Sequence, residues 1–255
     1  MILIDTHCHL YLEDFASDID EVIQRAEQEG VRAFYLPAID SQTSASMLDL
    51  EDSYRGKCFA MSGLHPCSVK NNYKEELQFA QQKFSERSIV AVGEIGLDFY
   101  WDRTFEQQQY EAFHTQMEWA LHFDIPAVIH SRAAMKETIA VIKEHQRGSL
   151  KGIFHCFSGN ETDARQIIEA GFLLGIGGVL TYRNSGLAEA LKDISLENMV
   201  LETDSPYLTP VPFRGKRNES AYLKYIVQKL AEVKGVEAEE VARTTTENAA
   251  KIFGR

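Results

Sequence analysis

The sequence is poor in basic residues and has no long apolar run. Lysine and arginine together number 26 against 38 acidic residues, which gives a formal net charge of −12. This balance excludes a broad basic surface that coats nucleic acid, although bound divalent cations would supply local positive charge for a polyanionic substrate. No segment approaches the roughly 20 apolar residues of a membrane span, and residues 1–5 lack the basic and apolar regions of a signal peptide.

Cysteine is also scarce and irregularly spaced. The four cysteines at positions 8, 58, 67 and 156 form no CxxC pair and no regular framework. Reduced thiols are therefore expected rather than a disulfide scaffold. Together these absences predict a soluble, cytoplasmic protein that is a monomer, without membrane attachment or an obligate protein partner.

Short β-branched runs alternate with helical patterns along almost the whole chain. Eight candidate strands lie at 3–5, 32–37, 58–62, 89–93, 127–130, 152–155, 173–176 and 199–202. Amphipathic helices are predicted at 18–29 and 105–123, and two more within 218–252. Eight βα units in 255 residues predict a single α/β domain, 1–255, folded as a (β/α)8 TIM barrel. An open doubly wound sheet is the alternative, but the glycine-rich phosphate turn typical of its first strand is absent.

Most candidate strands end in an ionisable residue. These residues are Asp5, His7 and His9 after strand 1, His65 after strand 3, Glu94 and Asp98 after strand 4, His130 after strand 5, His155 after strand 6, and Glu202 and Asp204 after strand 8. Active sites of such barrels lie at the carboxyl ends of the strands. The pattern therefore predicts one shared polar cavity.

His7 and His9 are two residues apart, so a strand would present both imidazoles on one face. An isolated HxH pair is weak support for a metal site, but His or acidic residues in ligand-like positions at five of the eight strand ends are much stronger support. Strands 1 and 8 are neighbours in a closed barrel, so Asp204 would join this histidine pair on one ion.

His130 and His155 would hold a second ion, and the two oxygens of Glu94 would bridge both. Mixed nitrogen and oxygen ligation suits Zn, Mn, Fe or Co, and Mg is an alternative in the more carboxylate-rich subsite. Two such ions hold the attacking and leaving oxygens of a displacement reaction. They also lower the pKa of a water bound between them to about 7. Asp204 is the predicted general base; the alternative is that it serves only as a ligand.

Taken together, the motifs resemble the TatD family of metal-dependent deoxyribonucleases, within the amidohydrolase superfamily. The resemblance covers almost the whole chain and rests on the segments DTHCHL (5–10), GLHP (63–66), VGEIGLD (92–98), IHSR (129–132), FHCFSG (154–159), GIGG (175–178), ETDSPYL (202–208) and RGKRN (214–218). Many superfamily relatives bridge their metals with a carboxylated lysine on strand 4, whereas the TatD-like proteins use a glutamate, as at Glu94.

The resemblance implies a divalent-metal-dependent nuclease with 3′-to-5′ exonuclease activity on DNA. It also implies that the six ligands are His7, His9, Glu94, His130, His155 and Asp204, and that His65 contacts the scissile phosphate or leaving group. Relatives often carry Asp where this chain has Tyr11, and a second His where it has Cys67. These two departures leave the substrate preference open.

Further side chains are candidates for contacting substrate. Arg132 would share the face of His130 and bind phosphate as a fork, or form an ion pair with Glu202 or Asp98. His65 has a structural hydrogen bond as its alternative role.

Other histidines and cysteines are expected outside the site. Cys8 and Cys156 alternate with the candidate ligand histidines, so their side chains should point to the opposite face as small apolar fillers. His114, His122 and His145 fall on helical patterns, which predicts a surface or structural role.

The basic cluster of Arg214, Lys216 and Arg217 would attract a phosphodiester backbone, or be a solvated loop. Tyr100 and Trp101 would stack on a base, although aromatic residues at such a junction are more often in the core.

Three interpretations of function remain. The first is a nuclease acting on phosphodiesters. The second is a hydrolase of a small phosphoester, lactone or amide on the same barrel, which the acidic net charge favours weakly. The third is a non-catalytic protein that keeps its metals for stability. His65 and Asp204 argue against it, because structural metal sites are usually closed and need no such additional groups.

Overall fold

Strands and helices alternate along the chain as the sequence predicts. The computed structural model describes residues 1–254. Its strands are β1 Leu3–Asp5, β2 Val31–Leu36, β3 Cys58–Ala60, β4 Val92–Asp98, β5 Ala127–Arg132, β6 Gly152–Phe154, β7 Phe172–Ile176 and β8 Met199–Leu201. Its α-helices are α1 Ile19–Gln28, α2 Ser41–Ser53, α3 Tyr73–Glu86, α4 Glu106–Phe123, α5 Met135–His145, α6 Glu161–Glu169, α7 Leu187–Leu191, α8 Leu223–Lys234 and α9 Ala238–Phe253.

Backbone contacts join the strands into a closed barrel. β1, β2 and β3 pair in parallel, and β4 to β8 form a second parallel ladder of successive neighbours. Ser62 bridges Val92 between β3 and β4, and Cys8 bridges Ser205 between β8 and β1. The strand order and the helices between strands confirm the predicted (β/α)8 fold. None of the helices in residues 1–254 combines the length and apolar character that crossing a bilayer requires.

The helices at both ends of the chain follow their sequence patterns closely. α1 and α4 each begin one residue after the predicted start, and α4 ends where predicted. The segment 218–252 contains α8 and most of α9, separated at Gly235, whose φ of 64° is in the left-handed region. Glycine reaches this conformation without steric cost, which ends α8 and lets the chain turn back.

The fourth strand lies further along the chain than predicted. The apolar pattern predicts a strand at 89–93, whereas β4 continues to Asp98 with all seven residues buried. Glu94 and Asp98 remain inside because each carboxylate lies within 3 Å of His130. The prediction was wrong because it treated the acidic residues as the end of the strand.

An apolar layer fills the barrel beneath the strand ends. Side chains two residues apart share a face of a strand, so Val128 lies under His130. Val128, Ile153 and Val200 are fully buried and belong to one cluster with Phe253 of α9. The polar residues at the carboxyl ends of the strands therefore rest on a dry, close-packed floor.

Gln116 of α4 fixes the loop that follows β3. Its side-chain oxygen accepts a hydrogen bond from the Leu64 amide at 2.6 Å, and its side-chain nitrogen donates to the Leu64 carbonyl at 3.2 Å. Gln116 is buried. This bidentate contact holds the backbone immediately before His65.

We expect Gln116→Ala to lower the free energy of unfolding by about 1–3 kcal/mol, because it leaves buried backbone groups of Leu64 without partners. Urea denaturation followed by circular dichroism measures the change. Gln107→Ala, on the exposed side of the same helix, is the control and should stay within about 0.5 kcal/mol of the parent. Equal losses in both variants would contradict this role for Gln116.

Candidate metal centre

The side chains predicted as ligands meet at the carboxyl end of the barrel. They border a cavity of about 700 Å³, except for His7, which lies fully buried behind it. Four of them, His7, His9, His155 and Asp204, follow the ends of β1, β6 and β8, whereas Glu94 and His130 lie within β4 and β5. The barrel topology thus brings together residues that are up to 197 positions apart in sequence, from 7 to 204.

Glu94 lies at the centre of these side chains. Its Oε2 is 3.1 Å from Nε2 of His7 and 3.6 Å from Nε2 of His9. Its Oε1 is 2.8 Å from Nδ1 of His130 and 3.7 Å from Nε2 of His155. Burial alone would raise the pKa of the Glu94 carboxyl, but the surrounding imidazoles hold it well below its usual range. The carboxylate is therefore charged, with one oxygen facing each pair of histidines.

Asp204 faces the histidines of strand 1 from the opposite side. Its Oδ1 lies 3.5 Å from Nε2 of His9 and 3.8 Å from Nε2 of His7. The same oxygen is 3.9 Å from Nε2 of His155. Asp204 has a left-handed φ of 57°, a conformation that aspartate tolerates better than most residues, and its amide donates to the His7 carbonyl at 2.9 Å. The backbone of β1 therefore fixes the position of this carboxylate.

Four overlapping groups of donor atoms are close enough to share an ion. Within each, the donor atoms lie within 4.8 Å of one another: His7, His9 and Glu94; His7, His155 and Asp204; His65, Glu94 and His130; His155, Cys156 and Glu202. Imidazole nitrogen and carboxylate oxygen suit divalent transition metals and, in part, Mg. The residues present therefore fit a divalent metal centre, and the grouping differs from the predicted division in linking His155 with His7 and Asp204.

In a neutral imidazole, a proton on the nitrogen that faces away from Glu94 leaves a lone pair on the nitrogen that faces it. The Tyr11 hydroxyl donates its proton to the Pro37 carbonyl at 2.5 Å and lies 2.9 Å from Nδ1 of His9. Its oxygen must then accept the Nδ1 proton, so Nε2 of His9 faces Glu94 as a lone pair. Tyr11 thus acts as the positioning partner that metal-ligating histidines usually have.

Carboxylates play the same part for two other histidines. Oδ2 of Asp98 is 2.9 Å from Nε2 of His130, and Oε1 of Glu202 is 2.9 Å from Nδ1 of His155. Each carboxylate draws the ring proton to the outer nitrogen and leaves the inner one free to bind a cation. Without a cation, the pKa of His155 is lowered by burial but raised to about 10 by Glu202 and the central carboxylates. A metal ion at Nε2 would therefore have to displace a proton from that nitrogen.

His65 has the opposite proton arrangement. Its Nδ1 accepts a hydrogen bond from the Cys67 amide at 3.0 Å, so the neutral ring carries its proton on Nε2. That nitrogen lies 3.4 Å from Oε1 of Glu94. His65 therefore presents a donor to the cavity, which suits an oxygen of a substrate better than a cation, although it lies within reach of both.

Two buried acids support the site in ways that the sequence alone does not reveal. Asp5 accepts hydrogen bonds from the Thr203 hydroxyl and the Ser220 hydroxyl, each at 2.6 Å, and burial raises its pKa to about 7. Glu202 is fully buried in a space that Gly175 provides: a Cβ at that glycine would lie 2.2 Å from Oε2 of Glu202. The only signal in the sequence is an acid within an otherwise apolar strand end.

Arg132 borders the cavity, and its predicted alternative as an ion-pair partner is wrong. No carboxylate of residues 1–254, including Glu202 and Asp98, lies within 4.0 Å of its guanidinium. The expectation that Tyr100 and Trp101 belong to the core is also wrong, since their exposed fractions are 59% and 67%.

The basic cluster has separate partners rather than one shared surface. Both terminal nitrogens of Arg217 lie 2.7 Å from Asp18, so Arg217 is not free to attract phosphate. The guanidinium of Arg214 lies over the Tyr182 ring at 4.1 Å, and the Lys216 amine lies over the Phe213 ring at 5.6 Å. None of the three cations borders the cavity.

The cysteines beside the ligand histidines do not behave alike. Cys8 is buried away from the cavity, as alternation predicts, with its Sγ 3.6 Å from the Tyr35 carbonyl. Cys156 borders the cavity together with Cys67, contrary to the prediction that it fills the core. Alternation fails there because β6 ends at Phe154 and Cys156 has a φ of 45°.

The histidines predicted on helices lie outside the site. Nδ1 of His114 is 2.7 Å from Nε2 of His145, whose other nitrogen lies 2.9 Å from Glu118. The ring of His122 contacts Phe123. Their structural role is as predicted.

Comparison with known proteins agrees with this geometry. A family model described as TatD related DNase matches residues 4–254. The uncharacterized metal-dependent hydrolase YabD of Bacillus subtilis is 36% identical over 253 residues, which cover 99% of each chain. The 3′-5′ ssDNA/RNA exonuclease TatD of Pantoea ananatis is 30% identical over 258 residues, again 99% of each chain.

A solved structure extends the likeness to three dimensions. The crystal structure of YjjV, a TatD homolog from Escherichia coli K12, matches with a TM-score of 0.93 at 30% identity, over 99% of this chain and 98% of that one. With the family model matched across almost its whole length and a site composed for divalent cations, this chain belongs to the TatD family of metal-dependent hydrolases.

Proposed function

We propose that the protein is a deoxyribonuclease that hydrolyses DNA phosphodiester bonds from the 3′ end with the help of two divalent metal ions. The observation that carries this proposal is the set of histidine nitrogens gathered around the carboxylates of Glu94 and Asp204. The family supports the reaction class, and the relative named a 3′-5′ ssDNA/RNA exonuclease supports the substrate.

The proposed ligands are the six residues predicted from the sequence: His7, His9, Glu94, His130, His155 and Asp204. Divalent ions bound there, with Zn, Mn or Mg as candidates, neutralise phosphate charge and make water acidic. Glu94 would contribute one oxygen to each ion, because its Oε2 and Oε1 face different histidine pairs.

Asp204 is the proposed general base. Burial alone would raise its pKa, but His155 and the neighbouring histidines lower it, so the carboxylate is ionised and able to accept a proton. The water oxygen forms a bond to phosphorus, the ester bond to the leaving oxygen breaks, and the water proton passes to Asp204. The Nε2 proton of His65 would stabilise a phosphate or leaving-group oxygen, and Arg132 and Arg214 would contact the phosphate backbone.

A second candidate is the hydrolysis of a small phosphoester, lactone or amide. The cavity of about 700 Å³ has a size typical of small-molecule sites. The net charge of −12 also gives little general attraction for a polyanion. Rates on a panel of phosphodiesters, phosphomonoesters, esters and amides, each measured with Zn, Mn and Mg, would separate the two candidates.

We expect Glu94→Gln to weaken divalent-metal binding, because the substitution removes the charge shared between the two histidine pairs. Isothermal titration calorimetry with Mn measures affinity and stoichiometry. Metal at 100 times its Kd should stabilise the parent by about 2.7 kcal/mol, and the variant should lose most of this gain at the same concentration. Glu118→Gln, which removes a carboxylate beside His145, is the control; unchanged Mn binding in Glu94→Gln would contradict a bridging role.

We expect Asp204→Asn to lower kcat on single-stranded DNA roughly 100- to 10,000-fold, the range of a lost general base. Asp193→Asn, at an exposed position before β8, should leave kcat within about twofold. Metal content of each variant is measured by atomic absorption. Equal rates in a metal-loaded Asp204→Asn protein and its parent would remove Asp204 from the mechanism.

The direction of cleavage can be tested with end-labelled strands. A single strand labelled at its 3′ end should release the label as a mononucleotide at the earliest times, in Mg or Mn, and EDTA should abolish release. A circular single strand, which has no end, should stay intact. Cleavage of the circle at a comparable rate would be incompatible with an exonuclease.

A further inference from the structure

Two exposed aromatic rings stand at the rim of the cavity. Tyr100 and Trp101 follow β4, and they contact each other edge to face with ring centroids 4.9 Å apart. Trp101 borders the cavity and is 67% exposed. A large aromatic side chain held in water beside a polar cavity provides a flat surface for a planar ligand.

The guanidinium of Arg132 lies against both rings. Its central carbon is 4.2 Å from the centroid of Tyr100 and 5.1 Å from that of Trp101. Among the residues that border the cavity, Arg132 is the one lysine or arginine within the described residues 1–254. The rings therefore orient a cation that has no carboxylate partner and is available to an anionic ligand.

The aromatic pair is tied directly to the candidate metal centre. Oδ1 of Asp98 accepts hydrogen bonds from the amides of Tyr100, at 2.9 Å, and Trp101, at 3.2 Å. Oδ2 of the same carboxylate faces Nε2 of His130 at 2.9 Å. One buried acid thus fixes the distance between the ring surface and a proposed ligand, so a bound ring and a reacting phosphate would keep a constant separation.

We propose that Trp101 and Arg132 form a nucleobase subsite, in which the base of a terminal nucleotide stacks on Trp101 while Arg132 contacts the attached phosphate. This inference rests on the proposed nuclease function and specifies its substrate as single-stranded ends. A base inside a duplex has its faces covered by its neighbours, whereas an unpaired terminal base has a free face. Stacking itself is tolerant of sequence, because every base has a flat face that can lie on the indole ring.

Tryptophan fluorescence tests the subsite without any cleavage. The chain has two tryptophans, and Trp119 is buried, so Trp119→Phe leaves Trp101 as the single reporter. In Mg²⁺ buffer, thymidine 5′-monophosphate contains no phosphodiester to be cut and should quench this emission saturably. Deoxyribose 5-phosphate, which lacks the base, should not. No quenching by the nucleotide up to millimolar concentration, or equal quenching by both compounds, would overturn the proposal.

Cleavage kinetics give an independent measure. We expect Trp101→Leu to lower kcat/KM roughly 5- to 150-fold on a thymidine-ended single strand, the effect of losing one stacked base. On a strand whose 3′-terminal residue is abasic, the same substitution should change kcat/KM less than about twofold, because no base is present to stack. Equal losses on both strands would assign Trp101 a merely structural role. Trp119→Phe is the matched control on both substrates.

The two proposals fail in different ways. If the parent protein cuts neither strand but the nucleotide quenches Trp101, the nuclease function is wrong and the subsite belongs to another nucleotide-directed reaction. If the parent cuts both strands but the nucleotide gives no quenching, the nuclease function stands and the subsite is wrong.

Discussion

A single buried negative charge organises the active end of the barrel. The carboxylate of Glu94 has five imidazole nitrogens within 4.0 Å, from His7, His9, His65, His130 and His155. An ionised carboxylate in a nonpolar interior is costly unless opposite charge or hydrogen-bond donors surround it. The apolar floor offers these side chains no polar partner from below, so they share protons with one another or bind cations. The rest of the site can be understood as the solution to that constraint.

How the charge of Glu94 is compensated depends on which nitrogen of each imidazole carries the proton. Tyr11, Asp98 and Glu202 draw the protons of three histidines to the outer ring nitrogens and leave the inner nitrogens as lone pairs. The Cys67 amide does the reverse for His65, whose inner nitrogen becomes a donor. Distances alone group His65 with Glu94 and His130 as a third donor set. The proton positions separate His65 from the proposed ligands, because its inner nitrogen is a donor toward the cavity.

Tyr11 is one of the two departures from the family pattern, and its contacts explain how the site functions with a tyrosine at this position. Where relatives often carry an aspartate, this chain has a neutral hydroxyl that lies 2.9 Å from Nδ1 of His9 and orients the ring without adding charge. The hydroxyl does so because the Pro37 carbonyl takes its own proton. The substitution therefore lowers the negative charge near the centre by one while keeping the orientation of His9.

The sequence was sufficient to predict the barrel and the convergence of the six candidate ligands, because both follow from strand periodicity and strand-end position. It was insufficient where burial and backbone geometry depend on contacts distant in sequence. β4 was misplaced because Glu94 and Asp98 are acids that become core residues only when His130 lies beside them. Cys156 was assigned to the wrong face because its left-handed φ breaks the alternation of the strand.

The acidic composition is compatible with the proposed phosphodiester substrate because of where positive charge lies in the molecule. Arg217, one member of the predicted basic cluster, is neutralised by Asp18, so it adds little general attraction on the outer surface. Positive charge is concentrated instead inside the cavity, in Arg132 and in the cations that the donor set would hold. A site of this kind does not coat nucleic acid. Under the proposed function, it would admit the part of a strand that can enter a cavity, and for a polymer that part is an end.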